Sequence, residues 1–416
     1  MLVRHVAAPK PGTFDPALLR KRSLLTRVLT AGRPYRTFRL LRGLPILRIP
    51  FLNLVILSRY DEVTEVLSRD IDFPVSVDPA FRELDPDVGT LLLAMRDEAT
   101  YRSIRRATMN VFRWSDAARV GALAYAYAEA ALRRGHGRID AMQDLMIGSL
   151  CDIVRTYFGV PASLECALWM FTVSLYDFAP WPPKHAIREQ AAIAAGKVAD
   201  TVLAAIAEAR TNPNEETAVG RFVTIRPDDA PLDDATIRVT MTGMIAGFLP
   251  TITLAAANIL EVLLDNPRMM AQAEAAAKAG DDDLLARCLL EASRFRPINY
   301  GPFRRADVDT VVADGTARAK RIRKDTLVLA GTWMAMFDPR RVRDPRRFDP
   351  ARPATQHLGF GHGQHWCLGA HLAMAHITQA FKPLLRRGGV RRARGREGRA
   401  ARYGPFAEHL TVLYNA

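Results

Sequence analysis

The run VTMTGMIAGFLPTITLAAANILEVLL, residues 239 to 264, limits the fold more than any other stretch of this chain, because it carries a single charge, Glu261. A helix apolar on all sides belongs in the middle of a large protein or in a bilayer. Thr240, Thr242, Thr251, Thr253 and Asn258 recur along it and Pro250 stands near its centre. Those interruptions, with no second segment of like character, favour the protein interior over a membrane span. Asp233 or Asp234 is a good N-cap after Pro231, and Asn266-Pro267 closes the run. Some thirty residues of helix reach about 45 Å, the diameter of a domain. The helix is expected to cross the fold through its middle.

Around it, helical periodicity dominates from about residue 100 to residue 300, as in GALAYAYAEAALRRG and IREQAAIAAGKVADTVLAAIAEAR. Strand-like runs are few: LPILRIPF and NLVILS, read as buried strands, then VDTVVADGTARA, DTLVLAG and the terminal HLTVLYN. The expected class is mainly α with small β-sheets (α+β). No repeat period or Gly/Ser linker divides the 416 residues, and breaks such as FAPWPPK (178–184) and RTNPNEET (210–217) read as interhelical loops. A single domain over 1–416 is expected.

Cys151, Cys166, Cys288 and Cys367 show no disulfide or CxxC spacing, which points to a reducing compartment. MLVRHVAAPKPGTFDPALLRKRSLL lacks the apolar core of a secretory leader, so a cytoplasmic location is expected. The 58 Lys and Arg exceed the 44 Asp and Glu to give +14, with a dense run RRGGVRRARGREGRAAR at 386–402. Such a surface attracts acidic partners. No nucleic-acid motif accompanies the run and no aromatic residue interleaves it, so a solvated face or an acidic protein partner is expected and nucleic acid is not.

The chemistry concentrates in FGHGQHWCLG, residues 360–369. Gly361 and Gly363 allow a tight turn that lays backbone amides against something flat or charged. Cys367 then stands at the start of the helical stretch AHLAMAHITQAFKPLLRR, where unpaired N–H groups and the helix dipole favour a thiolate. Gly369 permits close approach of a bulky group. Zinc ligation by His362, His365, Cys367 and His371 fits no paired ligand spacing. A Cys/His nucleophile pair lacks an orienting acid. A metal-bound thiolate suits the arrangement, and an inert buried thiol is the plain alternative.

Every fixed position of FGHGQHWCLG resembles the haem-binding signature Phe-Gly-x-Gly-x-His-x-Cys-x-Gly of the cytochrome P450 superfamily. EASR, with Glu291 and Arg294, is similar to the family's Glu-x-x-Arg motif, and FDPRRVRDPRRFDPARP to the meander before its cysteine loop. The resemblance implies the P450 fold, with the long helix over haem b (iron protoporphyrin IX). It implies Cys367 as the proximal ligand to iron. Phe360 and Gly369 are signature positions, and His365, Arg105 and Arg304 match propionate partners, with Arg305 as the fallback for Arg304. Tyr101 stands where many members have histidine. Phe248, Ile298, Tyr300 and Phe406 match substrate-contacting segments, which implies a hydrophobic small molecule.

The distal helix departs from the family pattern Ala/Gly-Gly-x-Asp/Glu-Thr-Thr. Ala246 and Gly247 match; Leu249 replaces the acid and Pro250 the first threonine, while Thr251 remains. Proline removes an N–H and clashes with the carbonyl four residues back, so a kink over the haem is expected. Leucine moves no proton, which puts ordinary dioxygen activation in question. The resemblance implies monooxygenation driven by a separate ferredoxin and reductase; the alternative is a peroxide-dependent peroxygenase or a hydroperoxide isomerase or dehydratase. Arg102, Arg106 and Arg113 suit an acidic ferredoxin docking on the cysteine side.

Overall fold

A computed structural model describes residues 14–15, 44–75, 83–84, 89–96, 98–177, 185–227 and 232–416. Most of the N-terminal stretch read for a leader, the FAPWPPK loop and Pro231 lie outside those residues. The helices are α1 (Tyr60–Ser68), α2 (Ala99–Val111), α3 (Asp116–Gly135), α4 (Gly148–Ile153), α5 (Leu164–Asp177), α6 (His185–Thr211), α7 (Ala218–Thr224), α8 (Asp234–Asp265), α9 (Pro267–Ala279), α10 (Asp282–Phe295), α11 (Thr332–Ala335) and α12 (Ala370–Arg387). The strands are β1 (Ile46–Ile49), β2 (Leu54–Leu57), β3 (Arg138–Asp140), β4 (Phe303–Arg305), β5 (Thr310–Val312), β6 (Lys320–Ile322), β7 (Leu327–Ala330), β8 (Arg391–Arg392), β9 (Ala401–Tyr403), β10 (Phe406–His409) and β11 (Thr411–Leu413).

The long apolar run is α8, capped by Asp233, whose carboxylate accepts the Thr236 N–H at 2.6 Å, and ended at Asn266. It packs against α5, α6, α10 and β10. Pro250 sits inside the helix, which continues on both sides of it. Two helices among the described residues are long and apolar enough to cross a membrane, α8 and residues 187–211 of α6; the most apolar window of α8 is 72% buried inside the protein, so it is a core helix.

The strands form small sheets at the edge of the helical body. The largest has the order β1-β2-β7-β4, with β2 and β7 parallel and the outer pairs antiparallel. β2 is buried as read for NLVILS, and β7 is buried beside it, whereas β1 is half-covered and Phe51 in the turn is 86% exposed. β3-β11-β8 makes a second sheet, and β9-β10 and β5-β6 are hairpins. RTNPNEET spans the connection from α6 to α7, as read.

Buried charge holds the segment leading to the cysteine loop. The Glu291 carboxylate on α10 accepts Arg294 Nη2 at 2.6 Å and Nε at 3.0 Å, and Arg352 Nε at 3.2 Å. The same guanidiniums donate to the carbonyls of Met336, Pro345, Arg343 and Arg347. Each member is almost wholly buried. Removing one partner would strand the others' charge, so Arg294→Leu is expected to cost about 3–5 kcal/mol, read as a lower urea midpoint.

Two interior histidines give the fold a pH dependence. Burial pushes His376 down to about 3 and His357, beside Glu291, down to about 4. In the unfolded chain each takes a proton near pH 6.5, so below that the unfolded state binds more protons. Unfolding free energy is therefore expected to fall from neutrality toward about pH 5, by up to about 1.4 kcal/mol per pH unit for each histidine. His376→Gln should flatten the slope.

Candidate functional site

The loop from Phe360 to Gly369 is closed by its own backbone: the Cys367 N–H donates to the Phe360 carbonyl at 2.9 Å and the Trp366 N–H to the Gly363 carbonyl at 3.0 Å. Gly361 and Gly363 take φ of +81° and +69°, the left-handed region glycine favours. A Cβ on Gly363 would stand 2.7 Å from the Leu67 carbonyl at the end of α1. The loop is thus both turned by glycine and pressed against α1.

Cys367 is a free thiol two residues before Gly369, the N-cap of α12. Burial holds its pKa above the usual thiol value, while the Gly369 amide and the Arg105 guanidinium pull the other way. The amide at the helix start favours the thiolate, as read from the sequence, and burial opposes it. A Cβ on Gly369 would meet nothing within 4 Å.

Polar side chains converge beside this loop. Tyr101 and Arg105 lie one turn apart on α2, Arg105 Nη1 donating to the Tyr101 hydroxyl at 3.4 Å, and that hydroxyl donates to the Gln364 carbonyl at 3.1 Å. The Tyr101 and His365 rings are 5.4 Å apart. His365 Nε2 lies 2.9 Å from Asp70 Oδ1, out of line for a hydrogen bond, so neither atom has a hydrogen-bond partner among the described residues. Arg304, central in β4, is 3% exposed with its Nε unpartnered, and burial pulls its pKa down to about 10, against Asp70 and Tyr101. Asp70 was not foreseen: 295 positions separate it from His365, and no local motif marks it. Arg305, the fallback, points to the Asp325 carbonyl on the exposed side of β4.

On α8 the partly exposed positions Gly243, Gly247, Thr251 and Leu254 share one stripe, at spacings of four, four and three. A Cβ on Gly247 would meet nothing within 4 Å. Pro250 flanks the stripe and is buried. Thr251 gives its hydroxyl to the Gly247 carbonyl, and Thr253 gives its own to the Leu249 carbonyl at 2.8 Å. Both hydroxyl protons are used within the helix.

The other wall residues read from the sequence are placed as follows. Phe248 faces the core, its ring 5.0 Å from Phe158 and 6.1 Å from His376, because it lies about a quarter-turn off the open stripe. Leu249 is 1% exposed and lines a narrow apolar cleft behind α8 with Val154, Met170 and Val198. Phe406 is 2% exposed and stacks on Phe171 of α5 at 4.8 Å, in the main core. Tyr300 packs on Trp333 at 5.5 Å, and Ile298 is half-buried.

The cytochrome P450 family model matches residues 138–391. The chain belongs to the cytochrome P450 family. Among its relatives are a cyclomarin C epoxidase of Salinispora arenicola, 32% identical over 179 residues and covering 43% of this chain, and a bifunctional dioxygenase–epoxy alcohol synthase of Pyricularia oryzae, 34% identical over 117 residues and covering 28% of it. The matches span only 42% and 10% of those two proteins. The fold of a cytochrome P450 from Chondromyces apiculatus superposes with a TM-score of 0.76 at 20% identity, covering 94% of this chain and 97% of that one.

Haem b is the family's cofactor, and the residues here fit it. A flat group can lie against Gly369 and Gly247, where no side chain intrudes, and Arg304 Nε, which has no hydrogen-bond partner among the described residues, is a donor for a carboxylate. Arg304→Leu is expected to weaken haem retention by about 2 kcal/mol, the worth of a charge-assisted hydrogen bond, measured by haem transfer to apomyoglobin. Gly363→Ala, strained against the Leu67 carbonyl, should cost about 1–3 kcal/mol of stability.

Proposed function

We propose that this protein is a haem-thiolate monooxygenase acting as one cytoplasmic domain on a hydrophobic small molecule, with electrons from a separate acidic ferredoxin and its reductase. The observation that carries the reading is the free Cys367 thiol at the start of α12, beside Gly369 and the converging Arg105, His365 and Arg304. When bound, the haem supplies dioxygen binding and activation. Cys367 would hold its iron, Arg304, Arg105 and His365 its propionates, and Tyr101 would fix Arg105 and the Gln364 carbonyl in place. The open stripe of α8 would leave room above the haem, its apolar residues excluding water. The four free cysteines suit a reducing cytoplasm.

The hydroxyl donation of Thr251 to Gly247, with Pro250 and Leu249 beside it, favours a second reading. With no side-chain proton relay on the stripe, a substrate that brings its own O–O bond needs fewer protons from the protein. The partial likeness to a dioxygenase–epoxy alcohol synthase agrees with turnover driven by peroxide or a substrate hydroperoxide.

The reduced protein with carbon monoxide should show the red-shifted Soret band of thiolate ligation, and Cys367→Ser should abolish it. A ferredoxin, its reductase and NADPH should then drive substrate oxidation; turnover only with hydrogen peroxide or a fatty-acid hydroperoxide would replace the first reading with the second. Pro250→Thr should raise the share of electrons recovered in product, because it returns an alcohol beside the open stripe. Leu249→Glu should not, since the new carboxyl would be buried and held protonated in the apolar cleft behind the helix.

A further inference from the structure

Five buried side-chain atoms on or beside the cysteine loop have no hydrogen-bond partner among the described residues: both carboxylate oxygens of Asp70, Arg304 Nε, Gln364 Nε2 and His365 Nε2. The three nitrogens can donate, whereas the Asp70 oxygens only accept. Asp70 is 6% exposed. A carboxylate so deeply buried normally holds several hydrogen bonds, because a charge away from water and without partners destabilises the fold. Such a residue is explained by what it does to a neighbour rather than by what it adds to stability.

Asp70 comes two residues after α1, where the chain turns to run beside β4: the Arg305 N–H donates to the Pro74 carbonyl at 3.2 Å and the Asp307 N–H to the Asp72 carbonyl at 2.9 Å. That pairing brings Arg304 near enough to feel the Asp70 charge. Arg69, the adjacent cation, is committed elsewhere. Its Nε donates to Asp72 at 3.0 Å, and its Nη1 to Glu65 and to the Val311 carbonyl, both at 2.7 Å. His365 Nε2, on a side chain 4% exposed, is the group at hydrogen-bond distance from Asp70 Oδ1, 2.9 Å away and out of line. A small turn of the ring completes that bond. A carboxylate on one imidazole nitrogen fixes the direction in which the other points.

We propose that Asp70 is a positioning residue of the haem site: its carboxylate accepts the His365 Nε2–H and so sets that ring toward the haem carboxylates, while its buried charge lowers the reduction potential of the haem. This rests on the reading of the protein as a haem-thiolate enzyme, and adds to it a residue that lies outside the cysteine motif. Reduction brings one electron into the site, and a fixed negative charge in a medium of low dielectric opposes it. Arg304 and Arg105 act in the opposite sense. The balance of these three charges, with the thiolate, then sets how readily the site accepts an electron.

The test uses the haem-loaded full chain and its Asp70→Asn variant, which keeps the shape and removes the charge. The reduction potential is read by dye-mediated titration with dithionite, and haem loss by transfer to apomyoglobin. Asp70→Asn is expected to move the potential to a more positive value and to speed haem loss about fivefold, the worth of one hydrogen bond. Asp70→Ser, smaller and also neutral, should move the potential the same way, and Asp70→Glu, which retains the charge, should leave it in place. Because His365 carries the effect on retention, Asp70→Asn added to His365→Gln should cause no further haem loss. The positive shift should persist in that background, since it comes from charge and not from contact. If Asp70→Asn and Asp70→Ser lower the urea midpoint and leave the potential unmoved, or if Asp70→Glu shifts it as far as they do, the charge assignment is wrong. If the double variant loses haem faster than His365→Gln alone, Asp70 does not act through His365. If the unaltered protein shows no red-shifted band with carbon monoxide, the haem-thiolate reading fails and this role with it.

Discussion

The buried Glu291 carboxylate is the point on which the rest of the structure depends. Two guanidiniums, Arg294 and Arg352, close on it with almost no water present, and their remaining N–H groups reach carbonyls between residues 336 and 347. That stretch has little regular secondary structure after α11, so its backbone cannot satisfy itself through a ladder or a helix. The charged cluster does this instead. It carries the chain in a fixed path to Leu358, two residues before the cysteine loop, and Arg294 is packed between the Phe295 and Phe337 rings at 4.7 and 4.4 Å.

The parts legible in sequence were those written in local pattern. The length and uniform apolarity of α8 and its capping residues needed no tertiary information, because an N-cap acts over three residues and an Asn-Pro break over two. The cysteine loop was legible because its glycines, histidine and thiol stand in a fixed short register. Asp70 beside His365, and Trp114 upon Trp366, were not, since each pair joins distant segments that come together only in the fold.

The distal helix shows where a motif misleads. Aligning AGFLPT with a family pattern identifies which residue replaces which, yet it does not say which way each side chain turns. Phe248 and Leu249 follow Gly247 directly and still face the core, because successive helical residues differ by about 100°. The departure at 249 therefore alters the packing behind the helix, and the departure at 250 alters the border of the open stripe. These are two separate physical changes, although they are adjacent letters.

The contact between Gly363 and the end of α1 has a further bearing. With the Leu67 carbonyl so near the position a Cβ would take, the thiol-bearing loop and the first helix share a single seat, and β2, which leads into α1, lies against β7 in parallel register. The sheet, α1 and the sulfur therefore form one mechanical unit. Changes that tilt the sheet, far from Cys367, should be felt as a displacement of its thiol, so that residues making no contact with the loop can still set where the sulfur stands.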